Sequence, residues 1–347
     1  MNQAENAAPE QARYRAPETN ALLAVLRRLT ESVEIVSPEL FYFAGEPVPL
    51  VPGLPPSLYP TTHPLVTLLR DRLYQRAFVQ AFDEPWPKTA PQPLSGFAQQ
   101  LSQRNASRER WDEGWQIERT LPGGQVLACK HGLQRTLWPG EFVLRDGTAM
   151  ALRPQAPIGV FQARESHTMQ PGFYFAFGET VADQQDEGHL LRLYWNVSGP
   201  GVLLLLPRLT GRLNRFGIPF KFKCLNAAEY YVRLDAAVLY VNRRFFRIVR
   251  ELLDDFLAGL DPQQLGPAVP LFTKALRPGV ALAEDPVGGE SFGMNRCRVV
   301  AEGLWNANCE QAATLDARVE RVATQFEIHG LSLERPYVNP GSLFDYA

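Results

Sequence analysis

Residues 190–198 read LLRLYWNVS, and this stretch decides how the second half of the chain is built. Successive side chains of a strand point to opposite faces. Leu191, Leu193, Trp195 and Val197 therefore share one face, and Arg192, Tyr194 and Asn196 share the other. The first set is a core face and the second a polar strip. Residues 219–225, PFKFKCL, repeat the design, with Phe220, Phe222 and Cys224 opposed to Lys221 and Lys223. As neighbours, the two strands would present a tyrosine, an arginine, an asparagine and two lysines on a common surface. Lysines on a strand also discourage edge-to-edge pairing, and Arg192 can be a plain solvated charge. Pattern alone slightly favours that plain reading. Two lysines two residues apart repel each other, however, and partial burial lowers their pKa values further. One of them can then be a neutral base near neutral pH, able to take a proton from carbon.

Working outward, GFYFAFG (172–178) is a further strand, separated from the first by the acidic loop ADQQDEGH (182–189). A helix is expected over about 200–216, strands over 219–225 and 236–241, and an amphipathic helix over RRFFRIVRELLDDFLAGL (243–260). Upstream, ETNALLAVLRRLTESVEIV (18–36) reads as a helix with Thr19 as its cap. A proline-rich connector covers 47–64, and a second helix covers 65–82 until the prolines from Pro85 stop it. From Trp115 the pattern turns to short strands punctuated by Gly, Pro and Asp-Gly. The organisation expected is a disordered tail over 1–18, a helical then β-rich region over 19–170 suited to recruiting a peptide, and a domain over 171–347. The fold class is α+β, with a mixed, largely antiparallel sheet flanked by helices.

With 347 residues, 45% apolar and 21% charged, the chain can bury a large core, and its net charge of -2 gives no global basic field. Nucleic acid and anionic membrane are therefore not expected partners. There is no apolar run long enough to span a bilayer and no secretory leader, so a soluble cytoplasmic protein is expected. The four cysteines lie far apart without metal-ligand spacing, which argues against zinc and disulfides. No cofactor loop is present either.

A second anion-ready element is GGESFG (288–293), which leads into a helix with Ser291 as its cap and Arg296 in the first turn. Arg296 fits either a phosphate contact or a helix-surface charge. The same run matches G-x-S-x-G, with Asp316 and His329 downstream in hydrolase order. Too little chain follows Ser291 for that fold, so the match is accidental. Of the five scattered histidines, His189 stays a candidate because it precedes the polar strand.

The run from PGFYFAFGET through RLYWNVSG, LTGRLNRFGIPFKFKCL, YYVRLDAAVLYV, VPLFTKALRPGVALAEDP and GGESFGMNRCR resembles the HopA-type family, first known as type III secreted effectors. Relatives encoded beside peptide-modifying enzymes act in class V lanthipeptide and thioamitide pathways as lyases that remove phosphate from phosphoserine or phosphothreonine. A separate Ser/Thr kinase installs that phosphate. The family also looks distantly like the enteric effector phosphothreonine lyases, which use a His, a Lys and a phosphate-binding Arg. The resemblance implies Lys223 as the base and Arg233 for phosphate, with Tyr194 standing where those lyases carry histidine. The elimination so suggested would use Lys221 and Arg296 as further phosphate contacts, with Lys274 a phosphate or carboxylate contact, and leaves Arg192, Asn196 and His189 as further candidates. The implied activity is elimination of phosphate from a phosphorylated precursor peptide, without metal or cofactor. The alternative is an effector that binds a host protein without catalysis.

Overall fold

The computed structural model describes residues 21–50, 63–82, 96–145, 152–182 and 188–347. The expected tail, most of the proline-rich connector and most of the acidic loop lie outside the described residues. The fold is α+β, built from helices and three mostly antiparallel open sheets. Contact density divides the described residues into one compact unit drawn from 21–82, 268–276 and 281–347, and another drawn from 96–267 and 277–280.

The first unit opens with a helix over residues 21–31 (α1). It stops earlier than its leucine spacing suggests. Ser32 folds its hydroxyl back to donate to the Leu29 carbonyl at 2.7 Å. The β-branched run that follows then enters a strand, Val33–Ser37 (β1), as such residues favour. That strand pairs with Leu40–Phe43 (β2), which pairs with Glu46–Pro49 (β3). VEIV (33–36) is therefore strand where helix was expected. Helix Pro64–Leu73 (α2) starts where His63 accepts from the Leu65 amide, and it runs on into a π-turn, Tyr74–Phe78.

The second unit begins with helix Phe97–Arg104 (α3) and strand Arg110–Thr120 (β4), five residues before the first strand signal in the sequence. Strands Val126–Lys130 (β5), Leu133–Leu137 (β6), Phe142–Leu144 (β7) and Pro157–Gln162 (β8) complete an antiparallel sheet in the order β6-β5-β4-β8-β7. Its core is Trp115, Ile117, Val126, Ala128, Leu137, Ile158 and Val160. The short Glu165–Ser166 (β9), Phe173–Phe177 (β10), Leu190–Trp195 (β11), Lys221–Leu225 (β12) and Ala237–Asn242 (β13) lie in the order β11-β13-β12-β10-β9. Helix Gly199–Arg215 (α4) follows β11. Ser198 caps its start, and Gly217, at φ 62°, takes the left-handed turn that releases the chain toward β12.

The single helix expected over 243–260 is instead a 3-10 turn followed by Phe246–Glu251 (α5) and Leu253–Leu257 (α6), interrupted at Leu252 where ψ is near zero. Its apolar stripe survives the interruption, because Phe246, Val249, Leu252, Leu253 and Phe256 are all buried. Lys274–Arg277 (β14) and Val280–Glu284 (β15) are neighbouring strands, and Lys274 opens the first of them. In the first unit, Phe292–Cys309 (α7) packs against Leu315–Ile328 (α8) and α2. Ser291 caps α7 by accepting from the Met294 amide, so it is a helix cap and no exposed elbow. No helix among the described residues is long and apolar enough to cross a membrane.

Candidate functional site

The two polar strips do share a surface, although their strands are not neighbours. β13 lies between β11 and β12 and pairs with both. Arg192 stands opposite Tyr240, Tyr240 opposite Lys221, and Lys221 opposite Phe177. Two residues along, Tyr194 stands opposite Val238, Val238 opposite Lys223, and Lys223 opposite Phe175. Directly paired residues project to the same face, so these are two rows of one surface. The opposite face carries Leu193, Leu239, Phe222, Trp195 and Cys224, all of them fully buried, with the Trp195 and Phe222 rings edge to face at 6.3 Å.

Aromatic rings separate the basic groups on this surface. The Lys221 Nζ lies 4.7 Å and the Arg192 guanidinium 5.1 Å from the Tyr240 ring centre. The Lys223 Nζ lies 3.8 Å and the Arg233 guanidinium 6.0 Å from that of Phe173. Such ring faces attract cations. Arg233 is held by Asp235, its Nε donating to Oδ1 at 2.8 Å and its Nη2 to Oδ2 at 2.9 Å. This planar two-point contact fixes the guanidinium in orientation. Asp235 is itself buried.

These surroundings change the proton affinities. Burial lowers the Lys223 ammonium to about 8, Asp235 partly opposes that shift, and Arg192, Arg233 and Lys221 add to it. Burial is the first cause and crowding by cations a lesser one, the reverse of the emphasis expected from the lysine spacing. The Tyr194 hydroxyl is buried, and burial pushes it well above its ordinary value, while the charge of nearby Arg192 pulls the other way. It is a protonated donor at neutral pH. β11 and β12 are two strand spacings apart, about 9.5 Å, so long side chains from each can converge on one small bound group. Removing the Asp235 charge in Asp235→Asn takes away the one cause that favours the Lys223 ammonium. The Lys223 midpoint should therefore fall below its native value, as read by NMR titration of labelled lysine. An unchanged or higher midpoint would contradict the placement of Asp235.

The remaining expected residues lie elsewhere. Asn196 is tied into the backbone at the end of β11, its amide donating to the Gly279 carbonyl and its carbonyl accepting from the Gly266 amide. A Cβ at position 266 would stand 2.5 Å from the Asn196 side chain and would displace it. His189 is exposed in the turn before β11. Lys274 and Arg296 belong to the other compact unit. The Lys274 Nζ faces the Tyr337 ring at 5.5 Å. Arg296 is only 1% exposed, and its guanidinium donates to the carbonyls of Pro336 at 2.7 Å and Val338 at 2.8 Å and to the Asn295 side chain. The donors read as a phosphate contact are occupied by the chain itself.

Sequence reasoning missed Tyr240, Phe173 and Asp235. Arg-x-Asp at 233–235 is a short-range pairing signal, but β13 is buried throughout and shows no alternation that would assign Tyr240 to the polar face. Among the described residues no cluster of His, Cys, Asp and Glu could hold a metal ion.

No curated protein matches the chain. Solved structures similar to it include two effector proteins. The effector protein from Pseudomonas syringae pv. tomato strain DC3000 has 13% identity and a TM-score of 0.49, over 94% of this chain and 99% of that one. The effector protein from Pseudomonas syringae pv. syringae strain 61 has 12% identity and a TM-score of 0.42, over 79% and 95%. The sequence model of the HopA1 effector protein family matches residues 164–338, half of the chain. That span begins before β9 and contains every residue of the basic surface just described, and the chain belongs to the HopA1 effector protein family.

Proposed function

We propose that this protein is a phosphopeptide lyase, eliminating phosphate from phosphoserine or phosphothreonine of a precursor peptide phosphorylated by a separate kinase. The observation that carries the reading is a half-buried Lys223 whose ammonium titrates near pH 8 on a surface it shares with Arg192, Lys221 and Arg233. In the reaction, the neutral Lys223 amine takes the α-proton. The C–H pair becomes the Cα=Cβ bond, and the Cβ–O bond breaks with its electrons passing to the phosphate oxygen. Dehydroalanine or dehydrobutyrine and inorganic phosphate result. Arg233, oriented by Asp235, and Lys221 hold the phosphate dianion, and their fixed charges favour the charge that develops on the leaving oxygen. Tyr194, protonated and in contact with Arg192, donates a hydrogen bond to that oxygen.

A phosphoserine or phosphothreonine peptide incubated with the protein should lose the mass of phosphoric acid and gain an alkene that a thiol can trap. Loss of phosphate with an intact alcohol would make the protein a phosphatase. An unchanged peptide would favour the second reading, a non-catalytic effector that binds a partner protein. That reading draws support from the description of the matching family as effectors. On it, Lys223→Ala leaves partner binding intact.

A further inference from the structure

The basic surface continues, on the side of Lys221 and Tyr240, into a cavity of about 590 Å³ that no reaction step above uses. Lys221 and Tyr240 line both. Beyond them the walls mix four phenylalanine rings, Phe161, Phe177, Phe220 and Phe245, with polar groups that include Arg135 and Glu141. Its volume falls in the range of preformed ligand sites, which bind through apolar walls and a few placed polar groups. Phe161 remains 39% exposed, a large apolar surface left open to solvent.

The geometry points to a specificity pocket: we infer that this cavity receives a large apolar or aromatic side chain of the substrate, two residues from the phosphorylated one. The inference rests on the lyase reading for the identity of the substrate. The rows holding Lys223 and Lys221 are two residues apart along β12, about 7 Å. An extended peptide advances by about that length every two residues, and its alternate side chains project to the same side. With the α-proton of the phosphorylated residue at Lys223 and its phosphate toward Lys221, the next same-side chain lies over the cavity mouth. Lys221 and Arg233 at one end and four phenylalanines in the wall of the other fit a ligand that is anionic at one point and apolar at a second. A free phosphate monoester has no group for the second point.

The test compares phosphoserine peptides that carry Phe, Leu, Ser or Asp two residues before or after the phosphorylated position. For one of the two directions, Phe and Leu peptides should show kcat/KM about 10-fold or more above Ser and Asp peptides, the scale set by burying one apolar side chain. Phe245→Ser and Phe161→Ser should each erase that preference while leaving the Ser peptide unchanged. Rates independent of the neighbouring residue in both directions, or variants that slow all peptides alike, would overturn the pocket and leave the lyase reading standing. Should no peptide react, the same series is measured for binding by fluorescence anisotropy. A preference for apolar neighbours that Phe245→Ser removes would then uphold the pocket without the elimination chemistry, and its absence would overturn both.

Discussion

Lys223→Ala should abolish elimination, lowering kcat by about 10³-fold, the contribution expected of a well-placed general base. Peptide binding should remain within a few-fold, because Lys221 and the Asp235-held Arg233 still hold the phosphate. Lys223→Arg should be equally inactive, since a guanidinium keeps both its charge and its proton. Initial rates of phosphate release and peptide affinity separate the two effects. Retained activity in either variant would remove lysine from the chemistry. The same residue has the opposite effect on stability. The folded protein binds the Lys223 proton less tightly, at about 8, than the unfolded chain does near the ordinary lysine value of 10.5. Below pH 8 the ammonium is charged in both states and the full cost of its burial is present. Between those values the unfolded state holds more protons, so stability rises with pH through that window. At neutral pH Lys223→Met removes the buried charge and should stabilise the fold by on the order of 1–3 kcal/mol.

The second large effect lies at Arg296. Arg296→Met should destabilise the protein by about 3–5 kcal/mol, measured by urea unfolding. It leaves the carbonyls of Pro336 and Val338 without their donors in a buried setting. Those bonds fasten the segment after α8, which is also held by the Glu284 carboxylate. Glu284 accepts from the Asn339 amide at 2.8 Å and from the hydroxyls of Ser342 at 2.6 Å and Tyr346 at 2.8 Å. Per folded molecule, the KM for a phosphopeptide should be unchanged. A stable variant with a raised KM would return Arg296 to the phosphate-binding set.

The contrast between Arg296 and Lys223 shows where the sequence is informative. The faces of β11 and β12 were legible because a strand's alternation is local, and Arg192, Tyr194, Lys221 and Lys223 stand on one surface as that alternation requires. The strand order was not legible. The insertion of β13 between them depends on pairing across distant parts of the chain, and a strand buried on both faces carries no period-2 signal. Arg296 misled for a related reason: an arginine in the first turn of a capped helix resembles an anion site, but its donors are claimed by carbonyls far along the chain. At VEIV the leucine period continued on paper into residues whose β-branching ended the helix. At 243–260 the apolar stripe was correct and the backbone continuity was not, because a stripe of buried residues tolerates one irregular peptide at Leu252.

The elimination chemistry requires a lysine that is half neutral near pH 8, and the pH dependence of kcat/KM for a phosphoserine peptide tests it most directly. The rate should climb with pH, reach half its plateau near 8, and lose that dependence together with activity in Lys223→Ala. A profile that is flat from about pH 6 to about pH 10, or that falls across that range, would contradict it.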